Sequence, residues 1–85
     1  MVQKTVRLFT LSTCSHCKAA KRFLAENGVE HHFIDVDLLT GDERHAVLQA
    51  VRKYNPRLSY PTIIIDEEIV IVGFREQELR EALDL

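Results

Sequence analysis

The sequence predicts one α/β domain over residues 1–85, with elements in the order β-α-β-α-β-β-α and a four-stranded mixed sheet carrying helices on both faces. Three observations lead there. Apolar spacing alternates between a period of two and a period near 3.6, and Gly, Pro and Asn punctuate the segments. The first two strand-like segments are joined through a helical one, which calls for a parallel, right-handed crossover. The last two are separated by only three polar residues, which calls for an antiparallel pair.

Each element has its own justification. In Thr5–Leu11, Val6 and Leu8 alternate with Arg7, Phe9 and Leu11, as in a strand covered on both sides. From Ser15, Cys17, Ala20, Leu24 and Gly28 recur at helical spacing, and Asn27-Gly28 closes the helix with Gly28 as the residue beyond the cap. His31–Asp37 alternates again and reads as the second strand. Thr40 and Glu43 have capping-box spacing. The helix they open is expected to bury Val47, Ala50, Val51 and Tyr54 and to stop at Asn55-Pro56. Pro61–Ile65 is a β-branched run, Asp66-Glu67-Glu68 a polar turn, and Ile69–Val72 the last strand. Gly73 breaks it, and Arg75–Leu83 carries Leu79, Ala82 and Leu83 at helical spacing.

Composition narrows the function classes. A domain of 85 residues buries only roughly 60% of its unfolded surface, so its core must be efficient. A net charge of −2 argues against nucleic acid and anionic membranes as partners. No apolar run reaches the roughly 18 residues of a spanning helix. The opening MVQKTVRLFTLSTC lacks the apolar core and cleavage site of a leader, so the chain is expected to be cytoplasmic.

Both cysteines lie in Thr13-Cys14-Ser15-His16-Cys17-Lys18. Four readings compete: a metal site, a structural disulfide, inert buried thiols and a redox pair. A structural zinc site wants four ligands. His16, His31, His32 and His45 follow no zinc-like spacing with the cysteines, so no metal is expected. A disulfide across two residues closes too short a loop to restrict the unfolded chain much, and a reducing cytosol disfavours permanent bridges. Inert thiols would leave the helix-start position unused. That position favours an anion, because unpaired amides and the positive dipole end stabilise it. A thiolate there is the nucleophile, and Cys17, one turn on, is placed to attack a sulfur bonded to Cys14. Lys18 and Lys21 either add positive potential or are solvated surface charges. His31, His32 and His45 read as surface residues.

The whole chain resembles the glutaredoxin branch of the thioredoxin superfamily. The resemblance rests on the element order, on C-x-x-C at the first strand-to-helix junction, and on Tyr60-Pro61-Thr62 ahead of a β-branched strand. Thioredoxin itself fits less well: Thr13 stands where it has Trp, and the Thr5–Leu11 strand has no acidic residue. The resemblance implies a cis Pro61 against the active-site cysteine, with the backbone of Tyr60 free to pair with a peptide or glutathione. It implies substrate contacts at Tyr60, Pro61, Thr62, Gly73, Phe74 and Arg75. It also implies a dithiol exchange in which the Cys14 thiolate attacks a disulfide and Cys17 resolves the mixed disulfide. No bound cofactor is expected. The partners implied are disulfide-containing proteins, with glutathione or a flavoprotein reductase as electron donor, and the chain is expected to be a monomer.

Departures from the family pattern bear on the donor. The lysine before the first cysteine and the second glycine of the G-G-x-D-like turn are absent; Leu11-Ser12-Thr13 and Gly73-Phe74-Arg75-Glu76 replace them. Gly73-Phe74-Arg75 is similar to the S-G-F-R turn of NrdH-type redoxins, which take electrons from thioredoxin reductase. Arg52, Lys53 and Arg57 are candidates to grip a carboxylate, though each also reads as a surface charge. A subunit-bridging [2Fe–2S] module is disfavoured, since its usual C-G-F-S pattern is absent; a metal-handling thiol domain is the other non-enzymatic reading. His16 is expected to tune the thiolate and raise the potential of the couple to around or above the roughly −200 to −230 mV of glutaredoxins. Ser15 lacks the rigidity of the proline common in that position.

Overall fold

A computed structural model describes residues 4–85. Elements run β1 (Val6–Thr10), α1 (Ser15–Glu26), β2 (His32–Asp35), a 3₁₀ turn (Val36–Leu38), α2 (Gly41–Tyr54), β3 (Thr62–Ile65), β4 (Ile69–Val72) and α3 (Glu76–Leu83). The described residues form a four-stranded sheet in the order β2-β1-β3-β4. β1 pairs in parallel with β2 and antiparallel with β3, and β3 pairs antiparallel with β4.

The period-two pattern of β1 separates two cores. Val6 and Leu8 join Ala20, Phe23 and Leu24 of α1, Ile63 and Ile65 of β3, Ile71 of β4 and Leu79 of α3. Phe9 points the other way, to Val36, Ile64 and Val51 of α2. Consecutive isoleucines of β3 thus serve opposite faces, which is why Ile63–Ile65 is apolar without a break and the whole of Thr62–Ile65 is buried. Leu24 is fully buried, a contribution of roughly 1.5–3 kcal/mol from apolar transfer alone.

α1 stops where the sequence predicts. The amide of Gly28 donates to Ala25 O (3.1 Å) and that of Val29 to Leu24 O (2.9 Å), the paired bonds of a Schellman closure. The other boundaries need correction. The second strand ends at Asp35, not Asp37, because the chain turns there, sending Val36 into the α2-side core and freeing Asp37 for a different task. Thr40 caps α2 by backbone only; its hydroxyl makes no cap bond. Gly41, the first residue of the helix, sits at φ +56°, away from the helical backbone on which a capping box is built. The buried stripe of α2 is Val47, Leu48, Val51 and Tyr54, and Ala50 faces solvent.

Candidate active site

In a parallel pair both carboxyl ends lie at one edge of the sheet, and ligands of open α/β sheets bind outside that edge. Thr10 and Asp35 are register partners at the ends of β1 and β2. Cys14 follows as the N-cap of α1, with extended backbone at φ −83°, ψ 121°. Its sulfur accepts the Cys17 amide at 3.2 Å. A cysteine side chain here does what Ser or Asp does at ordinary caps, satisfying an amide the helix leaves unpaired.

The two sulfurs have different surroundings. Cys14 is half-buried and Cys17 has 0% relative exposure. Both are free thiols. Burial is the main cause that pushes the Cys17 thiol up to about 12. The hydrogen bond with Cys14 and the charge of Cys14 add to the rise, while the Leu11 amide and the Lys21 cation pull against it. That amide donates to Cys17 Sγ at 3.5 Å.

His16 and Lys18 lie on the solvent side of the same turn, both exposed. Lys21 is not a solvated surface charge. It donates to Asp35 Oδ1 at 2.9 Å, with side chains only 22% and 15% exposed, and lies 3.8 Å from the centre of the Phe33 ring.

The loop before β3 holds the next group of sequence-predicted residues. The Tyr60–Pro61 peptide bond is cis, as the resemblance implied. Tyr60 makes no backbone hydrogen bond among the described residues, whereas Pro61 O accepts the Gly73 amide at 2.8 Å. Gly73 sits at φ +88°, a conformation that favours glycine. Burial raises the Tyr60 phenol above its ordinary value, with Arg44 opposing that rise and Cys17 adding to it. Thr62 is wholly buried. Its hydroxyl donates to Ser59 O (2.8 Å) and accepts the Asn55 side-chain amide (3.0 Å), so it shapes the loop from within. Phe74 packs edge-on against Phe23 at 5.8 Å. Arg75 Nε donates to Val72 O at 3.1 Å and pairs with Glu78. The structure thus joins Cys17 to Cys14 and Gly73 to Pro61, while Thr62 is buried and Phe74 packs on the α1–α3 core. Arg52, Lys53 and Arg57 are exposed at the far end of α2 and in the loop beyond it.

Asp37 was not anticipated. It accepts the Ser12 amide at 2.8 Å and the Ser12 hydroxyl, which clamps the loop that delivers Cys14. Those bonds hold its carboxyl below the usual range, and Arg44 adds to the effect. Since β1 and β2 are parallel, residues just past their ends had to meet; reading Asp37 as part of the strand concealed this.

Residues 6–70 match the glutaredoxin family model. This chain belongs to the glutaredoxin family. A methanoredoxin of Methanosarcina acetivorans is 40% identical over 95% of this chain and 85% of its own, with a TM-score of 0.90. A glutaredoxin of Methanosarcina mazei Go1 is 43% identical over 95% and 79%, with a TM-score of 0.86. The glutaredoxin-like NrdH-redoxin of Escherichia coli, 23% identical over 91% and 92% with a TM-score of 0.73, shares the fold. No curated protein matches the sequence. As a glutaredoxin-like protein the chain is a thiol redox protein built on its C-x-x-C pair. No helix among its described residues is long and apolar enough to cross a membrane.

Proposed function

We propose that this glutaredoxin reduces disulfides by a dithiol exchange, with Cys14 as nucleophile and Cys17 as resolving thiol. The contrast within one helical turn carries the reading: Cys14 is partly accessible at the cap and receives an amide bond, and Cys17 is sealed inside. A substrate disulfide reaches Cys14 first. Its thiolate attacks one sulfur, the substrate S–S bond breaks, and the departing sulfur leaves as a thiol after taking a proton. Cys17 then loses its proton to water and attacks Cys14 Sγ. The second substrate sulfur departs, and two electrons have passed from the protein pair to the substrate.

The cis-proline loop suits an extended peptide or glutathione. The unpaired backbone of Tyr60 can add a short stretch of strand pairing beside the Cys14 sulfur. Disulfide-containing proteins or small disulfides are the substrates, and glutathione or a flavoprotein reductase re-reduces the pair. The protein acts as a monomer in a reducing cytoplasm, where a disulfide is turned over rather than kept.

The test is Cys17→Ser exposed to a disulfide substrate. A mixed disulfide on Cys14, seen by mass spectrometry, is expected to accumulate; no adduct refutes the assignment. NADPH consumption, coupled either to glutathione and glutathione reductase or to thioredoxin reductase, identifies the donor.

A further inference from the structure

Lys21 lies four residues beyond Cys17, so the two share one face of α1, and a helical side chain leans back over the turn before it. Its ammonium is fixed there by Asp35. Asp35 is held in turn by the Thr10 hydroxyl at 2.6 Å, Thr10 being its register partner across β1 and β2. The next residue, Leu11, donates its amide to Cys17 Sγ. The resolving sulfur and the ion pair therefore occupy a single seam between α1 and the ends of β1 and β2.

We propose that Lys21, anchored by Asp35 and Thr10, is a positioning residue for the resolving step, holding a partly cancelled positive charge beside Cys17 as its thiolate forms. The inference rests on the dithiol reading above. Burial makes the Cys17 thiolate costly, and of the groups near it only the Leu11 amide and Lys21 act the other way. The remaining charged groups are accounted for. Cys14, at the cap of the same helix, opposes the thiolate. Arg44 of α2 acts on Tyr60 and Asp37. Arg80 of α3 lies over Phe23, further along α1, and His16 and Lys18 face solvent. Asp35 limits the cation, so neutralising each partner has opposite consequences.

In the resolving step the Cys17 S–H bond breaks and its proton passes to water. The thiolate forms the Cys14–Cys17 bond, and the bond from Cys14 to substrate breaks with its electron pair on the substrate sulfur, which is then protonated.

The ionisation of Cys17 is followed by ¹³Cβ NMR in a Cys14→Ser background, and resolution of a preformed mixed disulfide is timed in otherwise wild-type protein. Lys21→Met, which removes the charge and keeps an unbranched side chain of similar length, is expected to move the Cys17 midpoint up by roughly half a unit, a small shift because Asp35 already offsets the charge. Asp35→Asn is expected to move it down by a similar amount. Resolution then changes by about twofold in each direction, because nucleophilicity partly offsets the thiolate fraction. Lys21→Arg restores the wild-type midpoint, and Lys18→Met leaves it in place. Shifts of the same sign for Lys21→Met and Asp35→Asn, or no shift in either, overturn the proposal, as does an unchanged resolution rate. The titration reads Cys17 whether or not disulfides are reduced. Failure of the dithiol reading shows instead as no trapped adduct in Cys17→Ser.

Discussion

The first two turns of α1 have an outer and an inner edge. Outside lie Ser15, His16 and Lys18, all exposed; inside lie Cys17, Ala20 and Leu24, all at 0% relative exposure. Cys14 sits at the junction, half-buried at the cap. Two sulfurs three residues apart therefore meet different media. The one near water is open to a partner, and the one in the core is held toward its protonated form by burial. Chemical identity does not separate them; the direction each side chain takes from the helix does.

Substitutions can break this contrast. The largest effect is expected for Cys14→Ser, which removes the accessible sulfur and should abolish disulfide reduction in a coupled NADPH assay while leaving the fold intact. Next comes Leu24→Ala on the inner edge, expected to lose about 2–5 kcal/mol in urea unfolding, because it deletes a fully buried side chain from the α1–α3 core.

A third expectation concerns pH. The Cys17 thiol is raised in the fold from an ordinary 9.0 to about 12, so folding favours its protonated form. The stability this contributes is fully present below about 9 and is lost as pH rises toward about 12. The reduced protein should therefore lose stability more steeply across that window than Cys17→Ala, measured as urea midpoints against pH.

Asp37 gives the acid counterpart. Its carboxyl is lowered from 3.8, so its contribution is present above that value and lost as pH falls through the lowered one. Asp37→Asn should be less stable at neutral pH and show a shallower acid loss. It should also slow the first exchange at Cys14, whose loop Asp37 holds through Ser12. The smallest effect is expected on the outer edge. His16→Tyr should lower the reduction potential of the pair, measured by equilibration with glutathione, with stability unchanged within about 0.5 kcal/mol. An unchanged or raised potential refutes a thiolate-tuning role for His16.

The C-x-x-C pair and the end of its helix are legible in the sequence. Cys14 and Cys17 were placed by their position between an alternating run and a helical one, and Gly28 ended α1 as its type suggests. The misses share a cause. The sequence pattern puts Asp37 in the strand and Ala50 in the core and leaves Lys21 open between a tuning charge and a solvated one, because each depends on what a neighbouring element presents. Asp35 meets Lys21, and Ser12 meets Asp37, only once β2 lies beside β1.

Local sequence determined the period of each segment, the stops between them and the chain order, and with these the fold class and the identity of the reactive pair. Such features follow from steric and hydrogen-bonding preferences that act over a few residues. Which sulfur is sealed and which is open, which carboxylate pairs with Lys21, and which carboxylate clamps the loop were decided by tertiary structure. They are properties of burial and of charges brought close from separate segments, and neither has a value until the sheet brings those segments together.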